Sequence, residues 1–217
     1  MSLTNYEDFV FDAAHVHVKD PINYWRTVDK EQEQIRKMLD TKKTLHVLSK
    51  DTDLTVSVAG RKWINCSGKE NFPDGEVFTG PEETKTEGHI SYSFPGSYNG
   101  REVDDIQLWF KKGVVVKAEA SKGEPFLHAM IAMDPGAKRL GEFAFGTNYG
   151  VKRYTKNTLF DEKIGGTIHL AIGSGYPETH SKNISSLHWD MVCDLRKNGE
   201  VYADDELIYK NGRFLNL

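Results

Sequence analysis

The spacing of the apolar residues changes near residue 45, and this change restricts the folds open to the chain. Before it, the stretch RTVDKEQEQIRKMLDTKK places apolar residues on one face of a helix, at Val28, Ile35, Met38 and Leu39. We predict Thr27 as the N-cap of this helix. After residue 45 the period becomes two. Short β-prone runs such as LHVLS, LTVSVAG and TIHLAIGS follow one another, separated by turn residues.

One further helix is predicted within the β-rich part. It covers EPFLHAMIAMDPGAKRLGE and ends or splits near Asp134-Pro135, because a residue before proline is disfavoured in helical conformation. Strands do not alternate regularly with helices, so the pattern favours the α+β class over a βαβ fold. We therefore predict a helical lead-in over residues 1–44 and a β-rich mixed-sheet domain with one central helix over 45–217.

The amino-acid composition limits the classes of molecule that the chain is expected to bind. The 217 residues carry a net charge of −4, with no basic excess of the kind that nucleic-acid binding requires. No run of about 18 apolar residues indicates a membrane span. Cys66 and Cys193 lie far apart and form no C-x-x-C pair, which favours buried free thiols in a reducing compartment. We expect a cytoplasmic protein that binds neither nucleic acid nor membrane.

The stretch SSLHWDMV carries polar residues where the pattern predicts a buried strand. Side chains alternate along a strand, so His188 and Asp190 face one way and Trp189 faces the other. Burying two titratable groups side by side is costly unless each has a partner. The partner is either a hydrogen bond or a metal ion. A lone H-x-D favours the structural pair, and a second, similarly placed histidine makes the two alternatives equal.

His169 is such a second histidine. In GGTIHLAIGSGYPE it shares its strand face with Thr167 and Ala171, small neighbours that leave room around an imidazole. Two carboxylates, Glu76 and Glu142, also stand apart, since each is flanked by apolar residues and glycine. The H-x-D-then-histidine order of the non-haem iron oxygenases is excluded, because no histidine follows Asp190.

The other histidines give weaker signals. His15 and His17 form an H-V-H without a carboxylate in ligand register, so we predict a structural or surface role for both. His46 and His128 lie within apolar runs and are predicted to be hydrogen-bonded residues of the core.

Five blocks of the sequence, in order, carry a family resemblance. They are GEVFTGP, YNGREVDDIQLWF, LGEFAFGTN, LFDEKIGGTIHLAIGSGYPE and NISSLHWDMVCDLR. Together they closely resemble the thermophilic aminopeptidase family of metallopeptidases, from about residue 50 to the C-terminus. Members of that family have an additional N-terminal α/β domain, so the resemblance implies that the lead-in is the remnant of that domain.

The resemblance also implies a set of functional residues. The metal ligands fall on Glu76, Glu142, His169, His188 and Asp190, which stood out on chemical grounds as well. The catalytic tyrosine of the family falls on Tyr176. The sequence pattern alone indicates only that Tyr176 is an aromatic residue in a loop. The implied cofactor is a pair of divalent ions (zinc, cobalt or manganese), the implied substrates are peptides, and the implied assembly is a homodimer.

These residue types suit peptide hydrolysis by two metal ions. Two such ions share an activated water and polarise the scissile carbonyl, and three carboxylates with two imidazoles can hold both ions if one carboxylate bridges. The sequence does not select the bridging carboxylate. Two other functions stay open: a β-rich binding module in which HWD is a structural pair, and a domain that binds metal without turnover.

Overall fold

The computed structural model describes residues 2–215 and contains four α-helices in that range. They are α1 Leu3–Ala14, α2 Pro21–Leu39, α3 Glu124–Ile131 and α4 Thr158–Asp161. Two short 3₁₀ helices cover Gly136–Lys138 and Pro177–Thr179. The strands, in chain order, are β1 Thr44–Ser49, β2 Thr52–Ser57, β3 Ile64–Cys66, β4 Glu76–Thr79, β5 Glu87–Ser91, β6 Gly96–Tyr98, β7 Arg101–Val103, β8 Gln107–Lys111, β9 Val114–Glu119, β10 Leu140–Gly146, β11 Thr167–Gly173, β12 His188–Asp194, β13 Glu200–Ala203, β14 Glu206–Lys210 and β15 Arg213–Phe214.

The strands form two large sheets and a small hairpin. The larger sheet has the order β15-β14-β13-β1-β2-β5-β8-β9, and the second has the order β12-β11-β10-β4-β3. The predicted α+β class and the β-rich character are confirmed. The pairings between these strands are antiparallel, so the sheets are not mixed as the sequence pattern had suggested.

One hydrophobic core lies between the two large sheets. From the larger sheet it contains residues such as Leu45, Val47 and Leu54, and from the smaller sheet residues such as Phe143 and Leu170. Alternation along each strand places these side chains inward and sends their neighbours to the opposite face. For the five-stranded sheet that opposite face carries the polar residues described below.

Helix α2 begins seven residues earlier than predicted. Asp20 is its N-cap, accepting a hydrogen bond from the backbone of Asn23, and Pro21 occupies the first helical position. Thr27, the predicted N-cap, lies inside the helix and donates its hydroxyl to the Asn23 carbonyl at 2.9 Å. The apolar face of α2 places Ile35 and Leu39 in the main core, against the strands.

Two further predictions about local structure were wrong. His46 is half-exposed and pairs with Asp53 at 2.9 Å, because its strand neighbours Leu45 and Val47 take the inward positions. His128 is exposed on α3 and lies 3.8 Å from the carboxylate of Glu124. The central helix was predicted correctly, and it stops at Ile131, before Asp134-Pro135.

Candidate metal centre

Four neighbouring strands bring the five predicted ligand residues together. They come from β12 (His188 and Asp190), β11 (His169), β10 (Glu142) and β4 (Glu76), which lie side by side in the five-stranded sheet. Each residue points away from the main core, because the residues next to it in the strand point into that core. The predicted opposition of Trp189 to His188 and Asp190 is confirmed, since Trp189 is buried in the core.

The ligand atoms lie within contact of one another. The Nε2 atom of His169 is 3.4 Å from Oε1 of Glu142 and 3.6 Å from Oε2 of Glu76. The Nε2 atom of His188 is 3.4 Å from the other oxygen of Glu142, Oε2. The same nitrogen lies 3.5 Å from Oδ2 of Asp190.

Glu142 belongs to two groups of potential ligands. One group is Glu76, Glu142 and His169, and the other is Glu142, His188 and Asp190; within each, the ligand atoms lie within 4.8 Å of one another. The two oxygens of Glu142 face the two histidines, one each. Glu142 therefore offers one oxygen to each of the two groups.

Glu76, Glu142 and His169 are buried, whereas His188 and Asp190 are partly exposed. Burial raises the pKa of Glu76 to about 8, although the ammonium group of Lys163 opposes this shift. Burial also disfavours the charged form of Glu142, but hydrogen bonds and charge from His169 and His188 outweigh it and lower the pKa of Glu142 to about 2. Burial acts against protonation of both histidines, yet the neighbouring carboxylates raise the pKa of His169 to about 9 and that of His188 to about 11.

Two carboxylate oxygens in this site lack any hydrogen-bond partner. They are Oε2 of Glu76 and Oδ1 of Asp190, and both are fully buried. A buried acceptor without a donor costs roughly 1–3 kcal/mol, and more when it is charged. A cation would satisfy both oxygens. The donor set of carboxylates and imidazoles is one that divalent zinc, cobalt or manganese accepts, so the residues fit a metal site.

The backbone orients one of the imidazoles. Nδ1 of His188 lies 2.8 Å from the carbonyl oxygen of Ser174, so a proton on Nδ1 leaves Nε2 free to face the carboxylates. Ser174 follows Gly173, whose φ of +105° is accessible to glycine but strained for other residues. A Cβ atom at Gly173 would also lie 2.1 Å from the carbonyl oxygen of Leu187.

Tyr176 lies at the rim of the site, after this turn. Its ring packs edge-on against His188, with centroids 5.2 Å apart, and against Phe78, with centroids 5.3 Å apart. Burial raises the pKa of its phenol, and the neighbouring carboxylates raise it further. The hydroxyl is therefore a proton donor at neutral pH.

Sequence reasoning missed two charged residues of the site, Glu162 and Lys163. The carboxylate of Glu162 forms a third group of potential ligand atoms with His169 and Asp190. The ammonium group of Lys163 lies 2.6 Å from Oε1 of Glu162 and 3.1 Å from Oε1 of Glu76. The block LFDEKIGG contains both residues, but alternating charges beside a turn are typical of solvated surface, and only the tertiary structure buries them.

The fold and the donor set define a metal-binding domain built on an antiparallel sheet. The chain belongs to the thermophilic metalloprotease (M29) family, whose model matches residues 1–214. The family resemblance predicted from the sequence is thus confirmed. The match also includes the helical lead-in, which the five sequence blocks had left out.

Curated relatives agree with this assignment. The chain is 32% identical over 212 residues to aminopeptidase PepS of Streptococcus thermophilus, covering 90% of this chain and 50% of the relative. It is 32% identical over 184 residues to aminopeptidase T of Thermus aquaticus, covering 78% of this chain and 45% of that relative. The chain therefore spans about half the length of the curated relatives it matches.

Solved structures share the fold. Wild-type AmpT from Thermus thermophilus superposes with a TM-score of 0.84 at 26% identity, over 96% of this chain and 57% of that one. A 2,5-dihydroxypyridine dioxygenase from Pseudomonas putida superposes with a TM-score of 0.72 at 19% identity, over 88% of this chain and 60% of that one, a likeness of fold alone. Within residues 2–215, none of the helices combines the length and apolar character needed to cross a membrane.

Proposed function

We propose that this chain is the metal-binding catalytic part of an aminopeptidase that uses two divalent ions. The observation that carries the proposal is the pair of ligand groups that share Glu142. One ion would be held by Glu76, Glu142 and His169, and the other by Glu142, His188 and Asp190. Membership of a metalloprotease family and the aminopeptidase relatives support the same reaction.

The bound ions would supply an activated water and polarise the scissile carbonyl of a peptide. The residues of the chain supply the surroundings for that chemistry. Glu142 spans the two ligand groups, and the backbone of Ser174 holds the His188 ring in the orientation that ligation requires. Tyr176, protonated and next to His188, donates a hydrogen bond to the oxyanion that develops on the substrate.

Finer features of the function belong to the same proposal. The ions are zinc, cobalt or manganese, which the donor set accepts alike. The substrates are peptides with a free N-terminus, and the active assembly is a homodimer in the cytoplasm. Two buried free cysteines, Cys66 and Cys193, are compatible with a reducing compartment.

Metal content and turnover test the proposal together. The purified chain is stripped with a chelator, reloaded with Zn²⁺, and assayed for bound metal and for hydrolysis of an N-terminal leucyl chromogenic substrate. We expect two ions per chain and a hydrolysis that depends on them. Asp190→Asn keeps the size of the side chain but removes a ligand charge, so it should bind at least one ion fewer and lose turnover.

Asp53→Asn is the matched control, because Asp53 pairs with His46 on the other sheet, at an exposed position. It should leave metal content and turnover unchanged. No bound metal in the reloaded chain would identify HWD as a structural pair in a binding module. Two bound ions without hydrolysis would make the chain a metal-binding domain that lacks turnover.

A further inference from the structure

A buried ammonium group lies directly beside the proposed ligand Glu76. The side chain of Lys163 is 1% exposed, and no other lysine among residues 2–215 is buried. Its Nζ atom lies 2.6 Å from Oε1 of Glu162, 3.1 Å from Oε1 of Glu76 and 3.6 Å from Oδ1 of Asp74. An ammonium group is unexpected in this position, because the neighbouring site is proposed to bind metal cations.

The surroundings hold this lysine in place. The backbone N–H of Lys163 donates to the carbonyl of Phe160, and its own carbonyl accepts from the N–H of Asn148. Asp74 is itself fixed, since its two oxygens accept hydrogen bonds of 2.9 Å from the backbone N–H groups of Gly75 and Gly68. Lys163 is therefore held from both ends, by its backbone and by the carboxylates around its ammonium group.

The two oxygens of Glu76 have different environments as a result. Oε1 is occupied by Lys163, whereas Oε2 has no hydrogen-bond partner and lies 3.6 Å from Nε2 of His169. A carboxylate can rotate and offer either oxygen, or both, to an ion. The contact with Lys163 removes this freedom and leaves one oxygen facing Glu142 and His169.

We propose that Lys163 is a positioning residue of the metal centre, which holds one oxygen of Glu76 so that the other is presented to an ion shared with Glu142 and His169. The inference rests on the proposed two-metal function. The same ammonium group also contacts Oε1 of Glu162, the carboxylate of the third group of potential ligands.

The proposal predicts an effect opposite in sign to that of simple electrostatics. A lysine ammonium repels divalent ions, so removing it should strengthen metal binding if charge alone mattered. If Lys163 orients Glu76, removing it should weaken the binding of one ion. Partners that orient ligands typically contribute about 10–100-fold in metal affinity.

The test measures Zn²⁺ affinity by competition with a chromophoric chelator, which reports binding without any assay of activity. In Lys163→Met we expect one of the two dissociation constants to rise by about 10–100-fold, as for other residues that orient metal ligands, and the other to stay nearly unchanged. The single variant Glu76→Gln shows which of the two dissociation constants depends on Glu76. In that background, adding Lys163→Met should change Zn²⁺ binding no further, because the lysine acts through Glu76.

Lys117→Met is the matched control, since Lys117 is exposed on β9 of the other sheet and pairs with Glu119. Unchanged or tighter Zn²⁺ binding in Lys163→Met, or equal weakening of both ions, would overturn the inference while leaving the two-metal proposal intact. Absence of metal from the unmodified chain would overturn both. If Lys163→Met does not fold, Lys163→Gln replaces it and is judged by the same criteria.

Discussion

Tyr176 is the residue whose role can be isolated most cleanly. Its ring contacts His188 and Phe78, so Tyr176→Phe keeps that packing and deletes only the hydroxyl. A donor aimed at a developing oxyanion acts on the transition state more than on bound substrate. We expect kcat to fall by about 10²–10³, the range for loss of one oxyanion donor, with KM and metal content nearly unchanged.

Steady-state kinetics on the leucyl substrate, with metal analysis of the same samples, checks this expectation. Tyr202→Phe is the control, because the Tyr202 hydroxyl donates to Glu200 on the other sheet, at 2.8 Å. A near-normal kcat in Tyr176→Phe would reduce Tyr176 to a packing residue. Loss of metal would instead make it a ligand or a support for one.

The sequence identified single residues where local pattern and chemistry disagreed. His169, His188 and Asp190 were visible because strand alternation places polar groups among apolar neighbours. Lys163 was not visible, because its burial depends on three carboxylates, two of which come from the distant segment around Asp74. His46 was wrongly placed in the core, although strict alternation with Leu45 and Val47 already predicts an outward side chain.

At the scale of elements, helix α2 is tied to the metal centre through Gln32. The amide nitrogen of Gln32 lies 2.9 Å from the backbone carbonyls of Cys66 and Glu76, and its amide oxygen accepts from Thr147 at 3.1 Å. Gln32 is buried, so Gln32→Leu would leave these groups without their partner. We expect it to lower the free energy of unfolding by about 1–3 kcal/mol.

Urea unfolding of the metal-free chain measures this loss. Gln34→Leu is the matched control, since Gln34 lies on the exposed face of the same helix. A surface change of this kind usually alters the free energy of unfolding by less than about 0.5 kcal/mol. Equal losses in the two variants would show that the hydrogen bonds of Gln32 contribute nothing specific.

Element boundaries were predictable only where local signals are strong. The dipeptide Asp20-Pro21 combines an N-cap with proline at the first helical position, and it marks the true start of α2 better than Thr27 does. Helix α4 has four residues, too few for a helical period to show in the sequence. Its cap, Asn157, belongs to a polar stretch that is equally typical of a turn.

At the scale of the whole molecule, the sequence predicted strands but not their arrangement. Alternation indicates which face of a strand is buried, whereas the neighbours of that strand depend on contacts between distant segments. The order β12-β11-β10-β4 places Glu76 beside residues that follow it by more than sixty positions. The prediction that the ligand residues converge therefore rested on the family resemblance. The domain boundary near residue 44 stays a prediction.

The last prediction concerns the stability of the whole chain. The proposed ions connect four strands of one sheet, so Zn²⁺ should stabilise the folded state by mass action. At a free concentration about 1,000 times the dissociation constant, one site contributes about 4 kcal/mol. For a chain of this size that corresponds to a rise in Tm of roughly 8–16 °C.

This stabilisation should increase with pH. The neighbouring carboxylates overcome the effect of burial and raise the pKa of His169 to about 9 and that of His188 to about 11, so metal must displace protons that both imidazoles hold at neutral pH. In the metal-free chain, these raised pKa values add stability that is complete below the unfolded pKa of about 6.5. That stability is lost as the pH rises through the folded pKa values. The difference between zinc-loaded and metal-free protein therefore grows as the pH rises.

Thermal unfolding with and without Zn²⁺, at pH about 6.5 and at pH about 8.5, measures this difference at the usual histidine pKa and about two pH units above it. Asp190→Asn should show a smaller rise in Tm than the unmodified chain at both pH values, since it lacks one ligand charge. Mg²⁺ at the same concentration controls for general ionic effects, because it prefers oxygen ligands and retains its water. A rise in Tm that is equal at the two pH values would mean that the imidazoles of His169 and His188 do not lose protons to the metal.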